Sequence, residues 1–286
     1  RSARQLPDSA VLVIGGGQSG AQIAQDLRDS GRSVHWSLAQ RHSHTRRLRG
    51  KDSMTWWDMA GRIHQHVSEA AGVLAGEPDA LRKARTAEFP LISGKGNGGL
   101  GSSISLLAMH RAGIRLLGRL QGFDGNVARF ADVRPQLRTA IEATQAEYAY
   151  LDSLASAYYA TRPEPRTDDA RYIPEEVYLH WEPDAAPREL DLQAAGIRSV
   201  VLATGFVAEW PWLDVPGALD AHGYPLGDFG VSPQPGLFFI GMHNLQRMSS
   251  SFLCNGGRDA RDLLPAILRH LGRSWSTGID PGSVSY

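Results

Sequence analysis

The sequence predicts an α/β fold with parallel strands, and three observations carry that prediction. The apolar run Val11-Leu12-Val13-Ile14 ends abruptly in Gly15-Gly16-Gly17-Gln18-Ser19-Gly20 and feeds straight into a helical pattern. After Gly31 a second β-type run, Val34-His35-Trp36-Ser37-Leu38, closes a β-α-β unit. Two further buried-strand runs that end in small residues, 199–206 and 235–241, come late in the chain.

The glycine run defines the first candidate site. Gly15 can take the unusual backbone angles of a tight turn, Gly17 lets the main chain approach a pyrophosphate, and Gly20 lets the new helix pack closely on its strand. The phosphates of a dinucleotide then sit on the N–H groups and positive dipole end of the helix, where Gln18 and Ser19 lie. The helix continues through Ala21, Ile23, Ala24 and Leu27. An NAD-preferring fold usually places Asp or Glu near the end of the second strand, and none occurs between Val34 and Lys51. Ser37 and Arg41 offer instead a hydroxyl and a guanidinium suited to a 2′-phosphate, which favours NADPH. Arg46, Arg47 and Arg49 read as a solvated basic loop.

Residues 53–76 read as helices and loops with Trp56, Trp57 and Met59 in the core or an interface, and His64 and His66 as surface histidines. A second glycine cluster at 92–101 lacks the order of a phosphate-binding P-loop and reads as a connector. The pattern then predicts a short helix over 105–111, a strand over 114–120, and a hairpin turning at Asp124-Gly125. The longest helical pattern, 135–161, carries an aromatic stripe that reads as packing; 162–171 is a loop. Residues 210–230 form a turn-rich connection, and a last helix starts at the N-cap residues Ser249-Ser250-Ser251 and runs to Gly272.

Thirty basic residues balance 30 acidic ones, so no global field favours nucleic acid and a small partner is expected. The single cysteine, Cys254, leaves no CxxC pair and reads as buried, inert packing. No apolar run approaches the ~20 residues that cross a bilayer, so a cytoplasmic protein without a membrane span is expected. The opening Arg1-Ser2-Ala3-Arg4, without an initiator methionine or a leader pattern, reads as a linker cut from something longer.

Three segments resemble the flavin-containing monooxygenase-type flavoproteins, which nest an FAD domain and an NADPH domain. Gly15 to Gly20 resembles the family's NADPH glycine motif; Ala203-Thr204-Gly205-Phe206 resembles its A-T-G-[FY] strand end; residues 235–260 resemble its closing FAD segment, a strand and then a helix with an Asp. The resemblance implies a Rossmann-like NADPH-binding domain at 1–202, with helical and hairpin insertions, and the C-terminal portion of an FAD-binding domain at 203–286. Ala203, Thr204 and Gly205 would then lie by the cofactor crossing, and Gly241, Ser251, Phe252, Leu253 and Asp259 by the flavin.

The activity implied is hydride transfer from NADPH to FAD, with O2 activation and oxygenation of a small soft nucleophile. The family's first glycine motif is missing, so an N-terminal FAD half is expected in the same polypeptide or a partner subunit, with Phe238, Phe239 and Ile240 short of packing partners without it. A disulfide reductase is disfavoured by the lack of CxxC. The alternative from another class is a non-catalytic NADP(H)-binding subunit or redox-sensing module. No general acid or base can be named: Asp124, Asp184, Asp191 and Asp259 show no paired spacing.

Overall fold

The computed structural model describes residues 3–38, 43–77, 80, 83–84, 103–163, 181, 185–206 and 208–273. The chain divides into two compact units, Arg1–Ala60 with Phe89–Gly205, and Gly61–Glu88 with Phe206–Tyr286. In chain order the main elements are β1 (Ala10–Ile14), α1 (Gln18–Asp29), β2 (Val34–Ser37), β3 (Arg47–Leu48), β4 (Lys51–Asp52), α2 (Ser53–Met59) and α3 (Ala71–Leu74). They continue with α4 (Leu106–Arg111), β5 (Arg115–Leu117), β6 (Leu120–Asp124), β7 (Val127–Phe130), α5 (Val133–Tyr159), β8 (Glu189–Asp191), β9 (Ile197–Leu202) and α6 (Gly256–His270).

The first unit is a mixed α/β body on a four-stranded, all-parallel sheet of order β5-β2-β1-β9, compatible with a Rossmann-like fold. Strand β1 reads as a continuous apolar run because both its faces are covered. Val11 and Val13 pack with Trp36 and with Ala21, Ala24 and Leu27 of α1, while Leu12 and Ile14 face Leu117, Ala128 and Phe130. Ala128 and Phe130 belong to β7, the centre of an antiparallel β6-β7-β8 sheet.

Several expectations shift. The strand expected over 114–120 breaks at Gly118, where a Cβ would come within 1.9 Å of the Ala131 carbonyl oxygen; there the chain leaves the parallel sheet and enters β6. The hairpin forms, but its two turn residues are Gly125 and Asn126, since Asp124 already pairs with Val127. Helix α5 begins two residues before Pro135 because the Asp132 carboxylate caps it, accepting from the Arg134 N–H, and proline is tolerated in a first turn. Its aromatic stripe packs, with Tyr158 and Tyr159 edge-on to buried Trp56 at 5.5 and 5.8 Å. Met59 is 47% exposed, at the end of α2 beyond the buried Trp56 and Trp57.

In the second unit, residues 235–241 do not form a strand. Left-handed Gly236 (φ 82°) and Gly241 (φ 83°) bracket the segment, which makes a single bridge, Val231 with Phe238. Phe239 nevertheless finds partners, packing with Ala218 and Leu245, whereas Ile240 is exposed. The last helix starts at Gly256 rather than at the serines. Ser250 Oγ accepts from the Gln246 and Arg247 N–H groups, winding Met248–Ser251 into a 3-10 turn, and a second such turn, Leu253–Asn255, precedes α6. Cys254 is exposed, not buried.

Candidate functional site

The parallel strands leave β1 toward β2 and β5 on one side and return to β9 on the other, so the carboxyl end of β1 is a topological switch point. Gly15 stands there. Its N–H donates to the Ser37 carbonyl (3.1 Å), and the Trp36 indole N–H donates to its carbonyl (2.9 Å). On the other side the Ala203 N–H bonds the Ile14 carbonyl at 2.7 Å. Gly15 has φ +131°, and a Cβ on it would lie 2.1 Å from the Ala203 carbonyl oxygen. The glycine run and the Ala203-Thr204-Gly205 strand end, separated by nearly two hundred residues, thus form one crevice with Thr204 and Gly205 exposed.

Helix α1 starts directly beyond this turn. Its N-cap is Gly17, extended at φ −81° and ψ 178°, with no side-chain cap and no acidic residue in the first turn. A Cβ on Gly20 would meet the Gly15 carbonyl oxygen at 2.0 Å, so helix and strand touch through bare backbone. The main chain therefore supplies a positive helix end beside a turn that only glycine can make. Gln18 and Ser19 open the helix on its solvent side.

Ser37 is placed differently from expectation. It is buried on β2 and its hydroxyl donates to the Gly118 carbonyl at 2.9 Å, so that proton is committed within the sheet. Arg41 and the glycine cluster at 92–101 lie outside the described residues.

The remaining expected site residues fall in the second unit. Gly241, Ser251 and Leu253 are exposed there, and Phe252 is half-buried. Asp259 is fully buried, with one carboxylate oxygen held by the Arg247 guanidinium and by Asn255 Nδ2 (2.7 Å). Arg247 also pairs with Asp262 and donates through Nε to the His64 carbonyl at 3.2 Å. This cluster was invisible in the sequence, because twelve residues separate the ion-paired partners and no short motif marks them. It ties residues 61–69 to the unit, with His66 bridging Arg247 and the Val67 N–H on the Gln246 carbonyl (2.7 Å).

His64 and His66 are half-buried rather than surface residues. The His66 ring lies 4.4 Å from Phe229, and its Nδ1 accepts from the Ser68 N–H. Burial and then the Arg247 charge push the His66 pKa below the ordinary 6.5; burial and then Arg115 do the same to His35 on β2. Both groups favour the neutral form in the fold, so the unfolded chain takes up protons first as the pH falls through 6.5. Stability present above that pH is lost below it. Urea midpoints should drop from neutral to mildly acidic buffer, and the His35→Gln/His66→Gln variant should flatten that dependence.

Among the described residues no helix is long and apolar enough to cross a membrane, and no group of three or more His, Cys, Asp or Glu side chains is placed to hold a metal ion.

No protein-family model matches the chain. It is similar to the uncharacterized oxidoreductase CzcO-like of Geobacillus kaustophilus (strain HTA426), 23% identical over 267 residues, which is 93% of this chain and 54% of the relative. The uncharacterized oxidoreductase CzcO of Bacillus subtilis (strain 168) is 24% identical over 261 residues, 91% of this chain and 53% of the relative. The chain thus spans about half the length of these curated relatives, both of which carry the name oxidoreductase.

Proposed function

We propose that the chain is the NADPH-binding and C-terminal part of an NADPH-dependent flavoprotein oxidoreductase of the monooxygenase type, working in the cytoplasm on a small-molecule substrate. The observation that carries this reading is the switch-point turn, in which Gly15 and Gly20 let β1, α1 and the Ala203 strand end close on one another through bare backbone, where any Cβ would clash, so that the start of α1, which has no side-chain cap, is held at the carboxyl end of β1. These features fit a dinucleotide pyrophosphate. The main chain from Gly15 to Gly20 would hold it, Ala203, Thr204 and Gly205 would line its far side, and Arg41 would take the 2′-phosphate.

The fit to FAD rests on less. Gly241, Ser251 and Leu253 present accessible main chain for a flavin, whereas Asp259 is spent on Arg247 and does not reach a ligand. FAD, when bound, supplies the acceptor for the NADPH hydride and the means to activate O2. An N-terminal half or partner chain would complete its site. Support comes from β9, an edge strand among the described residues, where Val200 (41% exposed) and Leu202 (69% exposed) leave apolar side chains uncovered. The oxidoreductase names of the relatives and their double length agree with this reading.

The visible absorption spectrum of the purified particle, with intact mass on the same sample, tests the proposal. A flavin spectrum accompanied by extra mass, bleached by NADPH, is the expected result. A colourless, well-folded particle of single mass that still binds NADPH would instead support the non-catalytic NADP(H)-binding module.

A further inference from the structure

Residues 61–69 pack on a turn almost two hundred positions later in the chain, and both partners of that contact lie in the second unit. The backbone of this strap turns at left-handed Gly61 (φ 72°), where a Cβ would meet nothing within 4 Å. Ile63 and Val67 are its buried side chains. The polar ties converge on one short segment: the Val67 N–H donates to the Gln246 carbonyl at 2.7 Å, Arg247 Nε donates to the His64 carbonyl at 3.2 Å, and the His66 backbone bridges that of Arg247. The His66 ring lies 4.4 Å from Phe229, whose φ of 51° is one that bulky residues seldom adopt and whose carbonyl the Gln246 side chain holds at 3.0 Å. His66 therefore packs on a strained surface that the same segment keeps in place.

The His66 ring can hold this arrangement in one protonation state only. The Ser68 N–H donates to His66 Nδ1 at 3.3 Å, which makes His66 the N-cap of the Val67–Glu69 turn, and the Ser68 hydroxyl lies 2.6 Å from the same nitrogen. A backbone N–H can only donate, so Nδ1 keeps its lone pair and the hydrogen of the neutral ring is on Nε2. A proton on Nδ1 removes the acceptor and sets two N–H groups against each other. It also adds a positive charge beside Arg247. The carboxylates that could offset it are Glu69 on the strap, which is exposed, and Asp259 and Asp262 on α6, both already paired with Arg247. Burial and the Arg247 charge outweigh them, so the packed ring favours the neutral form.

We propose that residues 61–69 are a pH-sensitive strap: with His66 neutral it is latched to Gln246, Arg247 and Phe229, and when the ring takes a proton the strap swings out about Gly61 while α6 stays folded. Release frees the Arg247 guanidinium, 7% exposed in the latched form, from the His64 carbonyl and opens the cover of the Arg247–Asp259 pair. The device acts within the second unit and does not depend on the proposed NADPH site.

Hydrogen exchange of the 15N-labelled chain at the Val67 and Leu263 amides tests this, from about pH 7.5 to about pH 5.5, with rates corrected for the intrinsic pH dependence of exchange. Val67 should be less protected than Leu263 of α6 throughout, because it exchanges by strap release rather than by unfolding of the unit. Its protection should fall several-fold on acidification, with about tenfold as the limit set by the ordinary histidine value of 6.5, and the His66 imidazole 15N shifts should move over the same pH range. His66→Asn replaces the titrating cap with one whose carbonyl accepts at any pH, and should abolish the fall while α6 keeps its protection. Val67 protection that does not change with pH in the parent, a ring and an amide that titrate over different ranges, a fall of the same size in His66→Asn, or equal protection of Val67 and Leu263 at every pH would overturn the proposal.

Discussion

Gly15→Ala should be the most damaging single substitution in the first unit, lowering stability by about 2–6 kcal/mol and abolishing dinucleotide binding. Two costs add. The backbone at φ +131° is a conformation that side chains rarely adopt, worth roughly 1–3 kcal/mol of strain, and the new methyl would sit 2.1 Å from the Ala203 carbonyl oxygen. That atom is backbone in the crevice wall, so relief requires β1 and β9 to part, at a further ~1–3 kcal/mol. Gly20→Ala carries only the second cost, because its clash is with the Gly15 carbonyl oxygen at 2.0 Å. The same carbonyl accepts the Trp36 indole hydrogen, so a shift there loosens α1 from β2 as well. Gly31→Ala is the control: it too has a positive φ (+86°) but meets nothing within 4 Å, and should cost only about 1–2 kcal/mol with binding intact. Urea unfolding with and without NADPH distinguishes the three.

Arg247→Met should destabilise the second unit by about 3–5 kcal/mol, because it leaves the Asp259 carboxylate fully buried without a counter-charge. The loss should not be confined to α6. Arg247 also holds the His64 carbonyl, and its neighbour Gln246 holds Val67, so residues 61–69 should lose hydrogen-exchange protection along with the helix start. Adding Asp259→Asn removes the stranded charge and should restore part of the stability, whereas Asp262→Asn, at a half-exposed carboxylate, should change little. Denaturant midpoints of the single and double variants measure this; equal stability of Arg247→Met and the parent would show that the pair carries no weight.

The part of the fold that was legible in the sequence is the part governed by local rules. The strand–glycine–helix run, β2, the 124–127 hairpin and the long α5 each announce themselves within a dozen residues through periodicity, turn chemistry or a cap. The family resemblance put Ala203, Thr204 and Gly205 by the cofactor crossing, but the contact of Gly15 with Ala203 was not legible, since nothing in the intervening sequence encodes that distance. What misled the reading was composition without context. The serines at 249–251 look like helix caps, yet Ser250 turns its hydroxyl back to Gln246 and Arg247. Residues 235–241 look like a buried strand, yet with left-handed glycines at both ends the segment makes one bridge, Val231 with Phe238, and no strand. Ser37 looks like a phosphate ligand, yet in a sheet its hydroxyl finds the Gly118 carbonyl first. The Arg247–Asp259 pair arises from tertiary placement, for which the sequence carries no short signal.

The most direct test of the central claim is a titration of the folded protein with NADPH and with NADH, followed by nicotinamide fluorescence, on the parent, Gly20→Ala and Arg41→Ala chains. The account predicts saturable binding to the parent that favours NADPH roughly tenfold or more, loss of binding in Gly20→Ala, and loss of the preference alone in Arg41→Ala. A natively folded parent that binds neither nucleotide, or one whose binding is untouched by Gly20→Ala, would contradict it.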